Sequence, residues 1–208
     1  MRITIFYLAV CITCIVSAQK APSFNLDFEK VSNEIPSQWN NFGGDDYKAS
    51  IDSTIVQEGM YSASLESLKG GKDFKAWGLN IPATFGGKKI KLTGYLKTEN
   101  VSEGHAGLWM RIDPQVGFDN MDNRGVKGTT DWKKYEIELD LKPNEATSIV
   151  VGGILVGKGK IWIDNLKITI DGKPLDKASP KELSGAQKDT EFDAGSQFTM
   201  STPTAQAV

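Results

Sequence analysis

Apolar side chains recur at every second residue along most of this chain. Nowhere do they sustain the three-and-four spacing that a helix needs. Tyr135, Ile137, Leu139 and Leu141 alternate with Lys134, Glu136, Glu138 and Asp140. The same period of two runs through Phe24, Leu26 and Phe28, through Tyr47, Ala49 and Ile51, and through Ile90, Leu92, Gly94 and Leu96. Segments of this kind bury one face and wet the other. Turn chemistry separates them at Gly43-Gly44-Asp45-Asp46, Gly70-Gly71-Lys72-Asp73, Gly86-Gly87 and Lys142-Pro143-Asn144. Many short strands with such turns predict an all-β fold, a two-sheet antiparallel β-sandwich or jelly roll.

The last two expected strands, Ser148 to Val156 and Gly159 to Ile170, are joined by Gly157-Lys158. Their Ile, Val and Leu content suits central, well-buried positions. The module is expected to span residues 24–172, closing at Asp171-Gly172-Lys173-Pro174. Residues 173–208 lie beyond it, and after Leu175 they are rich in Lys, Ser, Gly, Gln, Asp and Thr, with only Leu183, Phe192, Phe198 and Met200 as anchors. Such a segment cannot bury enough apolar surface to fold alone. It reads as a disordered linker or as the start of a missing downstream domain.

Residues 1–18 read as a signal peptide, with Arg2 as the charge, Ile3 to Val16 as the apolar run and Val16-Ser17-Ala18 as the cleavage site. Residues 19–23 form a short leader. The apolar run is too short for a membrane span, so the expected location is secreted or periplasmic. A lipoprotein fits less well, because Val10 and Thr13 precede Cys11 and Cys14. Both cysteines leave with the leader, which excludes disulfides, thiolate metal sites and cysteine nucleophiles from the mature chain. Loss of Arg2 leaves 23 of the 24 basic residues against 26 acidic ones. That balance offers no basic surface for nucleic acid. His105 is the only histidine, and its setting in Glu103-Gly104-His105-Ala106 reads as a surface position.

The most specific stretch for function runs from Gly107 to Trp132. Leu108, Met110 and Ile112 should face a core, which turns Trp109, Arg111 and Asp113 to the other side. An aromatic plate, a guanidinium and a carboxylate in a row suit a groove for a polar ligand. The alternative is that Arg111 and Asp113 pair with each other beneath a structural tryptophan. Asp119, Asn120 and Arg124 occupy the following loop, as ligand contacts or as turn formers. Phe118 and Met121 read as loop anchors. Trp132 and Trp77 read as edge plugs or second platforms. No nucleophile–base pair accompanies the stretch, and no carboxylate pair stands out, so the reading is a binder without catalytic residues.

Several of these segments resemble a known family. Asn25-Leu26-Asp27-Phe28-Glu29, Pro36, Trp39, Gly59, Ser62 and the closing Lys160-Ile161-Trp162-Ile163-Asp164-Asn165 resemble carbohydrate-binding-module-like jelly rolls of the galactose-binding type. That resemblance implies that Trp39 and Trp162 are packing residues. It also implies a possible structural calcium held by Glu29 and Asp164, whose oxygens suit a hard cation; no other cofactor is implied. GLWMRID, GFDNM, GTTDWKKYEIELDL and GKGKIWIDNLKI further resemble the region ahead of catalytic domains in secreted Bacteroidetes S41 (tail-specific) peptidases and erythromycin-esterase-like proteins. Glu191-Phe192-Asp193-Ala194-Gly195-Ser196 resembles the junction before such a peptidase portion, and no peptidase domain follows it. The expectation is a secreted, non-catalytic module for a glycan or other polar ligand, accessory to a hydrolase. The alternative is a protein-interaction or positioning domain of a truncated S41-type serine peptidase.

Overall fold

Two long strands organise the molecule. A computed structural model describes residues 23–182, so the expected signal peptide and the tail after Glu182 lie outside the described residues. In chain order the strands are β1 (Val31–Ser32), β2 (Ile35–Pro36), β3 (Trp39–Gly43), β4 (Tyr47–Asp52), β5 (Ser62–Ser67), β6 (Phe74–Pro82), β7 (Lys89–Asp113), β8 (Gly117–Asp119), β9 (Val126–Asp140), β10 (Ser148–Ile170) and β11 (Lys173–Pro174). β7 and β10 pair antiparallel from Asp113 opposite Ser148 to Ile90 opposite Ile170. The ladder shifts register between Val156 and Lys160, where Gly157 and Gly159 have φ of +79° and +113°. Side chains rarely tolerate that backbone, so the two glycines make the bend. The boundary expected at Gly157-Lys158 is therefore a corner inside one strand.

Each half of the ladder centres one layer. In the first layer β3, β6, β10 (residues 148–156), β7 (residues 105–113) and β8 lie side by side. In the second the order is β4, β5, β10 (residues 160–170), β7 (residues 90–99) and β9. The result is the expected antiparallel β-sandwich. Between the layers, Leu108, Met110, Ile112, Ile149 and Val151 meet Leu65, Leu92, Leu96, Ile161 and Ile163, all fully buried. Burial of each such side chain contributes roughly 1.5–3 kcal/mol.

Two expectations change. Residues 24–29 are not a strand, despite their alternation. Asn25 is fully buried, and its side chain takes the Lys30 N–H at 2.9 Å and donates to the Lys30 carbonyl at 2.9 Å. This local bonding replaces a ladder partner. The Asn25 carbonyl in turn accepts the Trp39 indole N–H at 2.7 Å, and Trp39 stacks on buried Phe28. The module also extends past residue 172. β11 pairs with β10, and the Lys181 N–H donates to the Thr84 carbonyl at 2.8 Å, because the 84–86 turn offers backbone groups that need partners.

Candidate functional site

The outward face of the first layer carries a groove, and glycines decide its shape. Register places Asn40, Gly78, Gly152 and Trp109 in one row across β3, β6, β10 and β7. Two of the four positions have no side chain, so the indole of Trp109 lies down across the sheet. A Cβ on Gly78 would stand 3.2 Å from Trp109 Cζ2, and one on Gly152 3.0 Å from its Nε1. The indole N–H donates to the Trp77 carbonyl at 2.8 Å. Phe42 meets the ring edge-on at 5.4 Å, and Ala76, Val150 and Ile154 close around it.

Trp109 is consequently only 4% exposed, and it forms the floor of the groove rather than an open platform. The accessible rings are Phe42, 40% exposed, and Phe118, 58% exposed. Together with Phe74, Ile154 and Arg111 they line a cavity of about 450 Å³, within the usual range of ligand sites. Phe118 faces outward because it pairs with Arg111 across β7 and β8. It is thus not the loop anchor expected; Met121 is, buried with its sulfur 3.2 Å from the Leu108 N–H. Phe42 carried no signal in the sequence, where its neighbours read as a glycine turn.

Arg111 and Asp113 share this face and bond each other, with Nε to Oδ1 at 2.9 Å and Nη2 to Oδ2 at 3.2 Å. Asp113 also accepts the Ser148 hydroxyl at 3.1 Å. Asp113 does not line the groove. It orients the guanidinium, whose Nη1 has no hydrogen-bond partner among the described residues. Asn120 lines the rim. Asp119 and Arg124 tie its loop together, at 2.7 and 3.0 Å. Burial acts to raise the Asp119 carboxyl. The Arg124 hydrogen bonds, the Met121 N–H and the guanidinium charge outweigh it and hold the group below the usual carboxylate range.

Other expected residues fall elsewhere. Trp132 lies on β9 in the second layer, beside the Leu96 to Thr98 stretch of β7, so the bend in β7 separates it from Trp109. Trp77 is a core residue, its indole N–H donating to the Ser64 carbonyl. Trp39 packs in the core as expected. Trp162 is equally buried, but it lies on the outward face of the second layer, with its N–H on Asp52 Oδ2 at 2.8 Å. His105 is not a surface residue. Its ring is 5% exposed, packs on Gly125 and places Nε2 3.2 Å from the Asn120 carbonyl oxygen.

Glu29 and Asp164 do converge on one loop, residues 57–61. Glu29 accepts the Met60 and Tyr61 N–H groups at 2.9 and 3.1 Å, and Asp164 those of Gln57 and Glu58 at 2.8 and 3.2 Å. Burial, reinforced by the Glu29 charge, holds the Asp164 carboxyl above the usual range although the N–H groups pull the other way. Calcium requires a cage of oxygens. Here the loop turns N–H groups to both carboxylates, and among the described residues no three His, Cys, Asp or Glu side chains form a metal cage. With these N–H groups bound, the pair acts as a clamp on the loop in this structure. Asp164→Ala is expected to lower stability by about 1–3 kcal/mol through loss of the hydrogen bonds that hold this loop. Added calcium should leave the wild-type melting temperature unchanged; a rise of several degrees in a calorimetric scan would refute the clamp.

No family model matches the chain. The uncharacterized HTH-type transcriptional regulator YbfP of Bacillus subtilis is 34% identical over 121 residues, 56% of this chain and 36% of that protein. The chain thus spans about a third of that relative's length. The described residues hold no α-helix, so no helix-turn-helix forms among them. Similar solved structures include the enzymatically active domain of bacteriophage CBA120 tailspike protein 4, at TM-score 0.53 and 15% identity over 76% of this chain and 22% of that one. Another is the tandem CBM22-1–CBM22-2 domain of Paenibacillus barcinonensis Xyn10C, at TM-score 0.51 and 15% identity over 82% of this chain and 50% of that one. At such identities the likeness is one of fold, the carbohydrate-binding-module type of β-sandwich.

Proposed function

We propose that this chain is a secreted, non-catalytic module that binds a glycan chain in the groove of the first layer. The observation that carries the reading is the pair of exposed rings, Phe42 and Phe118, around an apolar floor with an oriented guanidinium at its edge. Pyranose rings present C–H faces to aromatic rings and hydroxyls to the rim, so both features are used at once. Arg111 Nη1 and the Asn120 amide supply the directional hydrogen bonds. The fold, shared with carbohydrate-binding modules, supports the same reading. Attachment to a hydrolase is part of the proposal, and so is the use of the same kind of module in other whole proteins such as regulators.

Phe118→Ala and Phe42→Ala test it. Loss of a central aromatic contact weakens binding by about 2 kcal/mol, more than tenfold. Calorimetric titration with soluble β-glucan, xylan and galactan should show that loss in both, with an unchanged melting temperature in Phe118→Ala. A second reading, docking of a protein domain on the exposed Phe118, is favoured if none of these glycans binds the folded wild type.

A further inference from the structure

The opposite side of the sandwich carries a second cavity, of about 810 Å³, with different chemistry. One wall is the β1–β2 hairpin, through Val31, Asn33, Glu34 and Ile35. The floor is the outward face of the second layer near β4. There Lys48, Ser50 and Asp52 alternate with core-packed Ala49 and Ile51. Register continues the Lys48 row through Glu66 to Lys160, so charges of alternating sign cross three strands. Tyr61 lines the cavity as well.

Three observations mark this cleft as a built site. The first is a fixed set of polar groups. Lys160 Nζ sits 3.3 Å from Glu66 and 4.7 Å above the ring of buried Trp162. The Trp162 indole N–H donates to Asp52, which also accepts the Thr54 and Ile55 N–H groups. Groups already held in place lose little entropy on binding. The second is the hairpin tip, where Asn33 and Glu34 have φ of +52° and +62°. That backbone favours glycine, especially at the second position, yet a glutamate stands there and turns to the cleft. The third is the balance of charge. Lys48 and Lys160 stand against Glu34, Asp52 and Glu66, only one carboxylate in excess, with Ser50 and Asn33 between them. Such a surface selects neither a strong anion nor a strong cation. It offers interspersed donors and acceptors beside one aromatic ring, the complement of a neutral polyhydroxylated chain.

We propose that this cleft is a second saccharide site, more polar than the groove of the first layer and facing away from it. The proposal rests on the reading of the chain as a glycan-binding module. One molecule would then hold two glycan segments on opposite faces, and on a polymer the two contacts reinforce each other.

Each site has its own reporter, the Trp109 indole under the groove and the Trp162 indole under the cleft. The test is a titration of the ¹⁵N-labelled full chain with cellohexaose, xylohexaose and mannohexaose, followed at both indole N–H signals. Both signals are expected to move, each along its own curve. Tyr61→Ala and Lys48→Ala should weaken the Trp162 curve about tenfold and leave the Trp109 curve in place, whereas Phe118→Ala should do the reverse. Lys48 has no hydrogen-bonded or ionic partner among the described residues, so its variant guards against a folding defect in Tyr61→Ala. A Trp162 signal that stays still while Trp109 titrates overturns the second site and leaves the first intact. So does a Trp162 signal that follows Trp109 on one curve and ignores both cleft variants. Movement of Trp162 alone supports the cleft and removes the groove. Silence of both signals with all three probes removes the glycan reading and this site with it.

Discussion

Trp109→Ala is expected to lower the unfolding free energy by about 3–5 kcal/mol, the range for loss of a buried aromatic ring. The indole fills the space above Gly78 and Gly152, and its N–H satisfies the Trp77 carbonyl. Removal leaves a cavity, takes the indole donor from the Trp77 carbonyl and takes away the edge-on partner of Phe42. For a domain of this size the melting temperature should fall by about 10 °C. Chemical denaturation at constant m-value measures the loss directly. A change within 1 kcal/mol would mean that the ring is dispensable to the fold and free to serve as a platform. Binding lost in this variant is therefore not evidence of a contact, and Phe118→Ala is the cleaner probe.

Gly152→Ala should be at least as damaging. The new Cβ would stand 1.9 Å from the Trp77 carbonyl oxygen and 2.9 Å from its carbon. Both are backbone atoms of β6, so relief requires the β6–β10 ladder to part rather than a side chain to rotate. Overpacking of this kind costs about 3 kcal/mol or more when the obstacle cannot move. The Trp109 indole would be lifted at the same time. Gly117→Ala is the control, because its Cβ would meet side chains and no backbone, Leu139 at 3.3 Å and Ile112 at 3.7 Å. Equal melting temperatures for the two variants would contradict the seat described for Trp109.

The strands were largely legible because alternation is a local property. Leu108, Met110 and Ile112 face the core, and Trp109, Arg111 and Asp113 share the other side, as their period of two requires. Whether Trp109 stands up or lies down was not legible. That depends on Gly78 and Gly152, which are distant in sequence and become its neighbours only through register. Phe42 and Phe118 were missed for the same reason, since each gains its place from a cross-strand partner. Trp132 read as an edge plug or a second platform from its neighbours in sequence alone, and the bend of β7 puts it in the other layer, away from the groove. At residues 24–29 the pattern was present and the strand was not. One buried asparagine supplies the local hydrogen bonds that a neighbouring strand would have offered.

The shared pair of long strands has a kinetic consequence. Neither layer owns its central strands, so neither can form first and wait for the other. β5 and β6 pair with β10, and β8 and β9 with β7, so neither layer is joined across its centre until residues 90–113 lie against 148–170. Closing that separation costs loop entropy before packing offsets it, so the meeting of β7 and β10 is expected to be a slow step whose disruption by core substitutions in both strands lowers the refolding rate. Once it has occurred, the corner at Gly157 and Gly159 directs the two halves to opposite layers. The outer strands then add to a template that already fixes which face each binding surface will occupy.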